Sequence, residues 1–310
     1  MTPRALRAVA AVALAVALLV PGGAADEVVD ASALGVAPGR AALGGDPVLA
    51  VVDGDEVRAD DLLPFLFLTR TEHVFAALEQ EVRRRLVAKE AASLGVTVPR
   101  ATVDASVAQV LKAQDDDFRL QAGPDRSFEE YIGERYGVDP AVYRRCVEQQ
   151  VVHELMLARV VRYDLRRQER LQVRILVVDD VGVAREVLDK LAEGANFGAL
   201  AKQVSIDRSA ARGGLFPPVG VDCPHPLLAG ARDLAEKEIG EISTVERGGA
   251  RLFRVLKLEK RLPPDGRPYE DQAAEVEAEL EERPLDPFEA LEWDRRARER
   301  HRIEVRMGRA

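Results

Sequence analysis

The chain has 310 residues, 47% hydrophobic and 31% charged, with 23 glycines and 17 prolines, a make-up that excludes collagen-like, mucin-like and wholly disordered proteins. Its 44 basic and 53 acidic residues leave a net charge of −9, and only 5% of residues are aromatic, so it lacks both the phosphate-neutralising charge and the stacking surface of a nucleic-acid binder. Two cysteines without CxxC spacing, Cys146 and Cys223, and four histidines exclude a repeated-pair zinc site and a thioredoxin-type centre. The length predicts about two domains.

Arg4 and Arg7 open the chain, followed by an unbroken apolar run of 13 residues over 8–20, then Pro21-Gly22-Gly23 and Ala24-Ala25 before Asp26. Basic start, apolar run and small-residue exit are the layout of a secretory signal, and the run is shorter than the ~20 residues that span a bilayer. Residues 1–25 are therefore expected to be a signal peptide cut after Ala25, with an uncleaved membrane tether as the rival reading. The absence of a Cys near the exit argues against a lipid anchor. The mature protein is expected outside the cytoplasm, periplasmic or secreted, where Cys146 and Cys223 could oxidise. Spacing alone does not pair them.

Residues 26–46, small and Gly/Ala-rich, read as a flexible leader. Val48 to Val52, then Asp53-Gly54 and Val57, predict a hairpin, with Asp60 as the N-cap of a following helix. A helix over 72–94 carries Phe75, Leu78, Val82 and Leu86 and stops at Gly95. In it, two of Arg83-Arg84-Arg85 are expected to reach water. Val103, Val107, Val110 and Leu111 mark the next helix, and Asp115-Asp116-Asp117 a solvated turn. Ser127 with Glu130 is a capping box. Asp139-Pro140 opens a long helix through Val147, Val151 and Leu155 to about Leu165.

The texture changes at Leu171. Val173 to Val178 has the length and β-branching of a strand; Val183, Val187, Leu188 and Leu191 mark a helix closed by Gly194, and Asn196 caps a second one. A Gly/Pro-rich loop, a short helix near 227–236, a short strand at 242–246 and a strand from Ala250 to Leu258 complete an α+β unit. Beyond Pro263-Pro264 the chain turns helical and charged, with Phe288, Leu291 and Trp293 as an apolar stripe and 301–305 as a short terminal strand. Trp293 is expected to be a core anchor.

Several motifs in 171–260 have fixed spacing: Ile175-Leu176-Val177; Gly194 and Asn196-Phe197; Leu200-Ala201-Lys202; Ser205-Ile206-Asp207; Ser209-Ala210; Gly213-Gly214; and Gly240-Glu241-Ile242-Ser243. Together they resemble a parvulin-type, PpiC-like peptidyl-prolyl isomerase domain. Val51-Val52-Asp53-Gly54-Asp55-Glu56-Val57 and the helices to about 160 resemble the N-terminal lobe of extracytoplasmic chaperones of the SurA and PrsA type. The resemblance implies a helical chaperone domain at 47–168, a parvulin-like domain at 169–262, and a C-terminal helix and strand at 263–310 folding back on the first lobe.

What the resemblance implies for function is catalysis of X-Pro isomerisation in unfolded envelope or secreted proteins, or binding of such chains by a domain that no longer catalyses. Rotation about that amide faces a barrier of about 18–20 kcal/mol and is slow enough to limit folding. It makes and breaks no covalent bond, so no cofactor and no metal are expected. The partners implied are unfolded or proline-containing polypeptides, with no nucleic acid. At the site, Arg174 stands where the family usually has its first His, and Arg251, by the Gly249 match, where it has its second. Asp207 keeps the acid position next to Ser205; these four residues are the catalytic candidates. Leu215, Phe216, Leu227, Leu228 and Phe253 are the candidates for the apolar proline cup. An Arg is always charged and has no acceptor, so two of them cannot reproduce a His pair, although they could flank Asp207 or donate to a substrate carbonyl.

Overall fold

The computed structural model describes residues 27–34, 48–123 and 126–305. The expected signal peptide and most of the expected leader lie outside the described residues. The chain divides into two compact units: the described residues up to Arg162 together with those from Pro268, and Tyr163–Arg267 between them.

The first unit is helical. Strand β1 (Val28–Val29) belongs to it, and so does a hairpin of β2 (Val48–Val52) and β3 (Asp55–Arg58). Asp53 and Gly54 turn that hairpin with φ of 51° and 97°, the mirror-type turn that matches strand twist. Helix α1 (Ala59–Thr69) starts two residues earlier than Asp60 capping requires. Asp61, not Asp60, caps it, accepting the Arg58 backbone N–H at 2.8 Å. α2 (Thr71–Leu94) ends on Gly95 in the left-handed region, which a Cβ would disfavour. After β4 (Val98–Pro99) come α3 (Arg100–Ala122), α4 (Phe128–Tyr136) and α5 (Pro140–Arg166). Ser127 and Glu130 bond reciprocally at 3.2 and 2.9 Å, and Asp139 accepts from the N–H of Ala141 at 2.7 Å.

Two further helices, α8 (Tyr269–Glu282) and α9 (Pro287–Arg300), complete this unit, whereas α6 (Val181–Ala192) and α7 (Phe197–Val204) lie in the other. The interior is unusually ionic. Arg159 and Arg162 of α5 are almost wholly buried, Arg159 bonding Glu277 at 2.7 Å and Arg162 reaching Glu289 and the Arg283 carbonyl. Trp293 is fully buried in the same unit, whereas Leu291 of the expected stripe faces water. Arg84 is buried between Glu81 and the carbonyl of Leu34, while Arg83 and Arg85 reach solvent.

Three expectations change here. Part of the leader is packed: β1 pairs with β4, and Leu34 is fully buried. Two consecutive valines supply a ladder that a Gly/Ala composition hides. Asp115-Asp116-Asp117 lie inside α3 rather than in a turn, held by Arg119 and Lys112 one helical turn away. Residues 302–305 form no strand, and His301 before them meets Glu90 at 2.8 Å. Cys146 and Cys223 are both free thiols.

The second unit is built on a four-stranded antiparallel sheet in the order β6-β5-β8-β7, with β5 (Arg170–Val178), β6 (Val219–Gly220), β7 (Ser243–Arg247) and β8 (Ala250–Leu262). Between β5 and β8 the register runs from Val173↔Leu258 to Val178↔Phe253, after a bulge at Gln172/Val173. Alternation then sorts the strands into two faces. Leu176, Val178 and Val255 pack under α6 (Val181–Ala192) and α7 (Phe197–Val204), against Val187, Leu191, Phe197 and Leu200. Val173, Ile175, Leu256 and Leu258 face the other way, against Val219, Leu228 and Ala231. Asp180 and Asn196 cap α6 and α7, each accepting one backbone N–H at 3.0 Å. The single helix expected at 227–236 is instead two 3-10 turns, Pro226–Leu228 and Ala231–Asp233, divided by Gly230 at φ 81°. The fold of this unit is α+β.

Candidate functional site

Residues 205–216 run along the outer edge of β5 and complete its hydrogen bonding. Ile206 donates to the Val177 carbonyl at 2.9 Å, Ile175 donates to the Gly214 carbonyl at 2.8 Å, and Phe216 donates to the Val173 carbonyl at 2.9 Å. The glycine pair makes this approach possible. A Cβ on Gly214, at φ 73°, would stand 2.3 Å from the Ile175 carbonyl oxygen. Gly213 is packed less tightly, a Cβ there standing 3.0 Å from Arg174 and Gly198.

Ser205 fixes the start of the loop. Its hydroxyl accepts from the backbone N–H of Val177 at 3.1 Å and of Asp207 at 3.3 Å. Asp207 caps a 3-10 turn over Arg208–Arg212, accepting from Ser209 N–H at 2.8 Å. Its carboxylate is only 9% exposed, and its ion-pair partner is Arg247, at 3.7 Å.

The two expected arginines go elsewhere. Arg174 lies on the helix-covered face, in register with Lys257. It donates to Glu259 at 2.8 Å and to the Gly213 carbonyl at 2.7 Å. Burial alone would raise the Glu259 carboxyl, but hydrogen bonds from Lys257, Lys237 and Arg174 outweigh it and hold it below its ordinary value. Arg251 lies beyond the end of β5, exposed, with its guanidinium 5.9 Å from the Phe253 ring centre. Six residues of β8 separate Arg251 from the partner of Arg174, roughly 20 Å of strand. Arg174, Asp207 and Arg251 thus do not converge on one cleft: each has its own partner.

The expected cup divides in the same way. Phe216 and Leu227 are half-buried on the face away from α6 and α7, Leu227 touching both apolar clusters of that face. Leu228 is core rather than lining, and Phe253 packs on the opposite, helix-covered cluster. Leu215 bridges to Arg174 at the edge of β5. The physical reason is the period of two: Phe253 and Leu252 cannot share a face.

Arg254 is the residue that motif matching missed. It is buried in the same register as Leu252, Leu256 and Leu258. It donates to Ser243 Oγ and to the carbonyls of Pro226 and Ala229, each at 2.9 Å. Desolvation pushes its pKa below the ordinary guanidinium value. His225 sits nearby, its ring 5.6 Å from that of Phe216 and its Nδ1 accepting from Leu227 N–H. The signal was in the sequence: positions 252, 254, 256 and 258 read Leu, Arg, Leu, Leu, one charge in an inward row. The Gly249 match drew attention to Arg251 instead. Among the described residues no group of three His, Cys, Asp or Glu is placed to hold a metal ion.

Comparison with known proteins gives one partial sequence relative. Over 115 residues, 36% of this chain, it is 32% identical to foldase protein PrsA 4 of Bacillus cereus. The chain resembles the PrsA-type foldases. The match spans 39% of the length of that relative, and no family model matches. Among solved structures, the chain is similar to PrsA from Bacillus subtilis, at 20% identity over 86% of this chain and 96% of that one, with a TM-score of 0.30. Peptidylprolyl isomerase (PrsA) from Bacillus anthracis matches at 21% identity over 74% and 100%, with a TM-score of 0.34. A pair of SurA-like chaperones of Campylobacter jejuni includes a match at 15% identity over 84% and 100%, with a TM-score of 0.28.

Chemically, the face around Leu227 offers a half-buried apolar patch of Phe216, His225 and Leu227, mounted on a turn that Arg254 pins from beneath.

Proposed function

We propose that this chain is an exported folding factor of the parvulin class that binds unfolded, proline-containing polypeptides. Three observations support the reading. The signal-like start at 1–25 argues for export. The stretch shared with PrsA 4 argues for a foldase relative. The glycine-dependent loop on β5 argues for a built peptide face.

The observation that favours holding the chain over turning its prolyl bonds is the fate of the guanidiniums. Arg174 is spent on Glu259 and the Gly213 carbonyl, and Arg251, the other candidate, stands exposed beside Phe253, beyond the end of β5. Rate acceleration requires interactions stronger in the twisted amide than in the planar one, and donors already committed to the fold are poor sources of them. The reading of residual isomerisation rests on Asp207, which stays nearly buried beside Arg247.

Two assays divide these outcomes. The protein should suppress aggregation of a reduced, unfolded substrate at near-stoichiometric ratio. It should leave the slow phase of a proline-limited refolding reaction unchanged at concentrations where a parvulin control accelerates it. Clear acceleration, abolished by Asp207→Ala, would establish the isomerase instead.

A further inference from the structure

Three arginines of the sheet are already accounted for. Arg174 serves Glu259 and the Gly213 carbonyl, and Arg254 serves Ser243 and two turn carbonyls. Arg251 stands opposite Glu246 and against Phe253, on the helix-covered side. Arg247 is different. Its side chain is 54% exposed, and its ion pair with Asp207 is 3.7 Å long. That separation is too great for a hydrogen bond. Among the described residues its guanidinium donors therefore have no hydrogen-bond acceptor.

The chain nevertheless holds Arg247 in a defined place. It is the last residue of β7, paired with Ala250 across the two-residue turn Gly248-Gly249. Both glycines have positive φ, 59° and 81°, as the turn that keeps strand twist requires. Alternation puts Arg247 on the same face as Val245, which packs with Val177, Leu252 and Leu227. Two residues of strand, roughly 7 Å, separate Val245 from Arg247. Asp207 steadies the guanidinium from the other side. Its Oδ1 accepts from the Ser209 N–H, its Oδ2 faces Arg247, and its own N–H donates to Ser205 Oγ. The carboxylate is anchored, and the guanidinium it attracts keeps its donors for a guest.

A prolyl chain offers the matching group. The X-Pro bond is a tertiary amide: its oxygen accepts, and its nitrogen has no proton to donate. A guanidinium donates only. We infer that Arg247 is a substrate-binding residue that donates a hydrogen bond to the carbonyl oxygen of the residue preceding proline, with Asp207 as the positioning residue that holds it beside Leu227. The inference rests on the reading of the sheet unit as a binder of prolyl chains. A charge-assisted bond is directional and stronger than a neutral one, so this contact would fix the orientation of the X-Pro bond while the ring lies on the apolar patch.

The test pairs a change in the protein with a change in the ligand. NMR titration of the full chain compares a blocked Ala-Ala-Pro-Phe peptide with its analogue carrying sulfur, a weaker acceptor, in place of the oxygen before proline. Circular dichroism confirms that each variant is folded. Wild type is expected to bind the oxygen peptide at least about fivefold more tightly than the sulfur peptide. Arg247→Met and Arg247→Ala should each weaken the oxygen peptide by about fivefold and bind the two peptides within about twofold of each other. Arg247→Lys, which keeps a cationic donor, should stay within about threefold of wild type on the oxygen peptide. Asp207→Asn, which can still cap its turn, should cut the wild-type preference by about half. A wild type without preference, or truncations at Arg247 that keep it, overturns the inference and leaves the prolyl-binding reading in place. A preference unchanged in Asp207→Asn overturns the positioning role. A wild type that binds neither peptide at about 1 mM overturns that reading, and the inference with it.

Discussion

Replacement of Arg254 by Met tests how the apolar face of the sheet unit is held. Met preserves the length and most of the volume of the side chain but has no donor. Three hydrogen bonds from a charged donor disappear, to Ser243 Oγ and to the carbonyls of Pro226 and Ala229. Bonds of this kind contribute about 1.5–3 kcal/mol each when intact. Two offsets reduce the loss. Pro226 and Ala229 are exposed residues whose carbonyls water can reach. The guanidinium itself is desolvated, as its lowered pKa records, so removing it relieves a penalty. The net expected destabilisation is about 2–3 kcal/mol, read as a shift of the urea midpoint at unchanged m-value. The loss should be local first. Amides at Leu228 and Ala229, which close the turn by donating to His225 and Pro226, should lose hydrogen-exchange protection before the strands do. Peptide binding should weaken with them, because Leu227 rides on this turn. Equal or greater stability of Arg254→Met, with protection at 226–229 intact, would refute the argument: the guanidinium would then be a tolerated burden rather than a clamp.

Gly214→Ala should be more severe, since the new Cβ would meet the Ile175 carbonyl at 2.3 Å from a backbone at φ 73°; about 3 kcal/mol or more is expected, measured by urea unfolding, and a loss under 1 kcal/mol would mean that the loop can leave the edge of β5 freely. His153 is half-buried in α5, with its Nδ1 enclosed and unpartnered. Burial first, then Arg84 and Arg83, lower its pKa to about 4, against a smaller opposing effect of Glu81. Its folded form is the neutral ring. As pH falls below about 6.5 the unfolded chain takes the proton first, so stability is lost between about pH 6.5 and 4 and the loss levels off below. His153→Gln should therefore flatten that part of the stability–pH curve by roughly 2 kcal/mol between pH 7 and 4.5; a curve parallel to wild type would show that carboxylates alone set the acid limit.

Local signals carried much of this fold because their physics is local. The Asp53-Gly54 turn, the Ser127/Glu130 reciprocal cap, the Asn196 cap and the αL stops at Gly95 and Gly137 each involve residues within a few positions of one another. The apolar runs at 173–178 and 252–258 announced an inner sheet for the same reason. Gly213-Gly214 announced a close approach, although not of what to what.

The partners of charges were not legible, because a guanidinium reaches several ångströms in directions that sequence spacing does not encode. Arg174 finds Glu259, 85 positions away, and Asp207 finds Arg247 rather than either arginine expected beside it. The side on which each candidate stands was decided by strand register and its bulge at Gln172/Val173. One residue's shift exchanges the two faces of a sheet, which is why Phe253 left the expected cup and Arg254 entered its floor. Composition and short-range pattern determined that a two-part α+β chain would form. Which side chains meet was settled by long-range pairing, since only packing brings residues distant in the chain within hydrogen-bond reach.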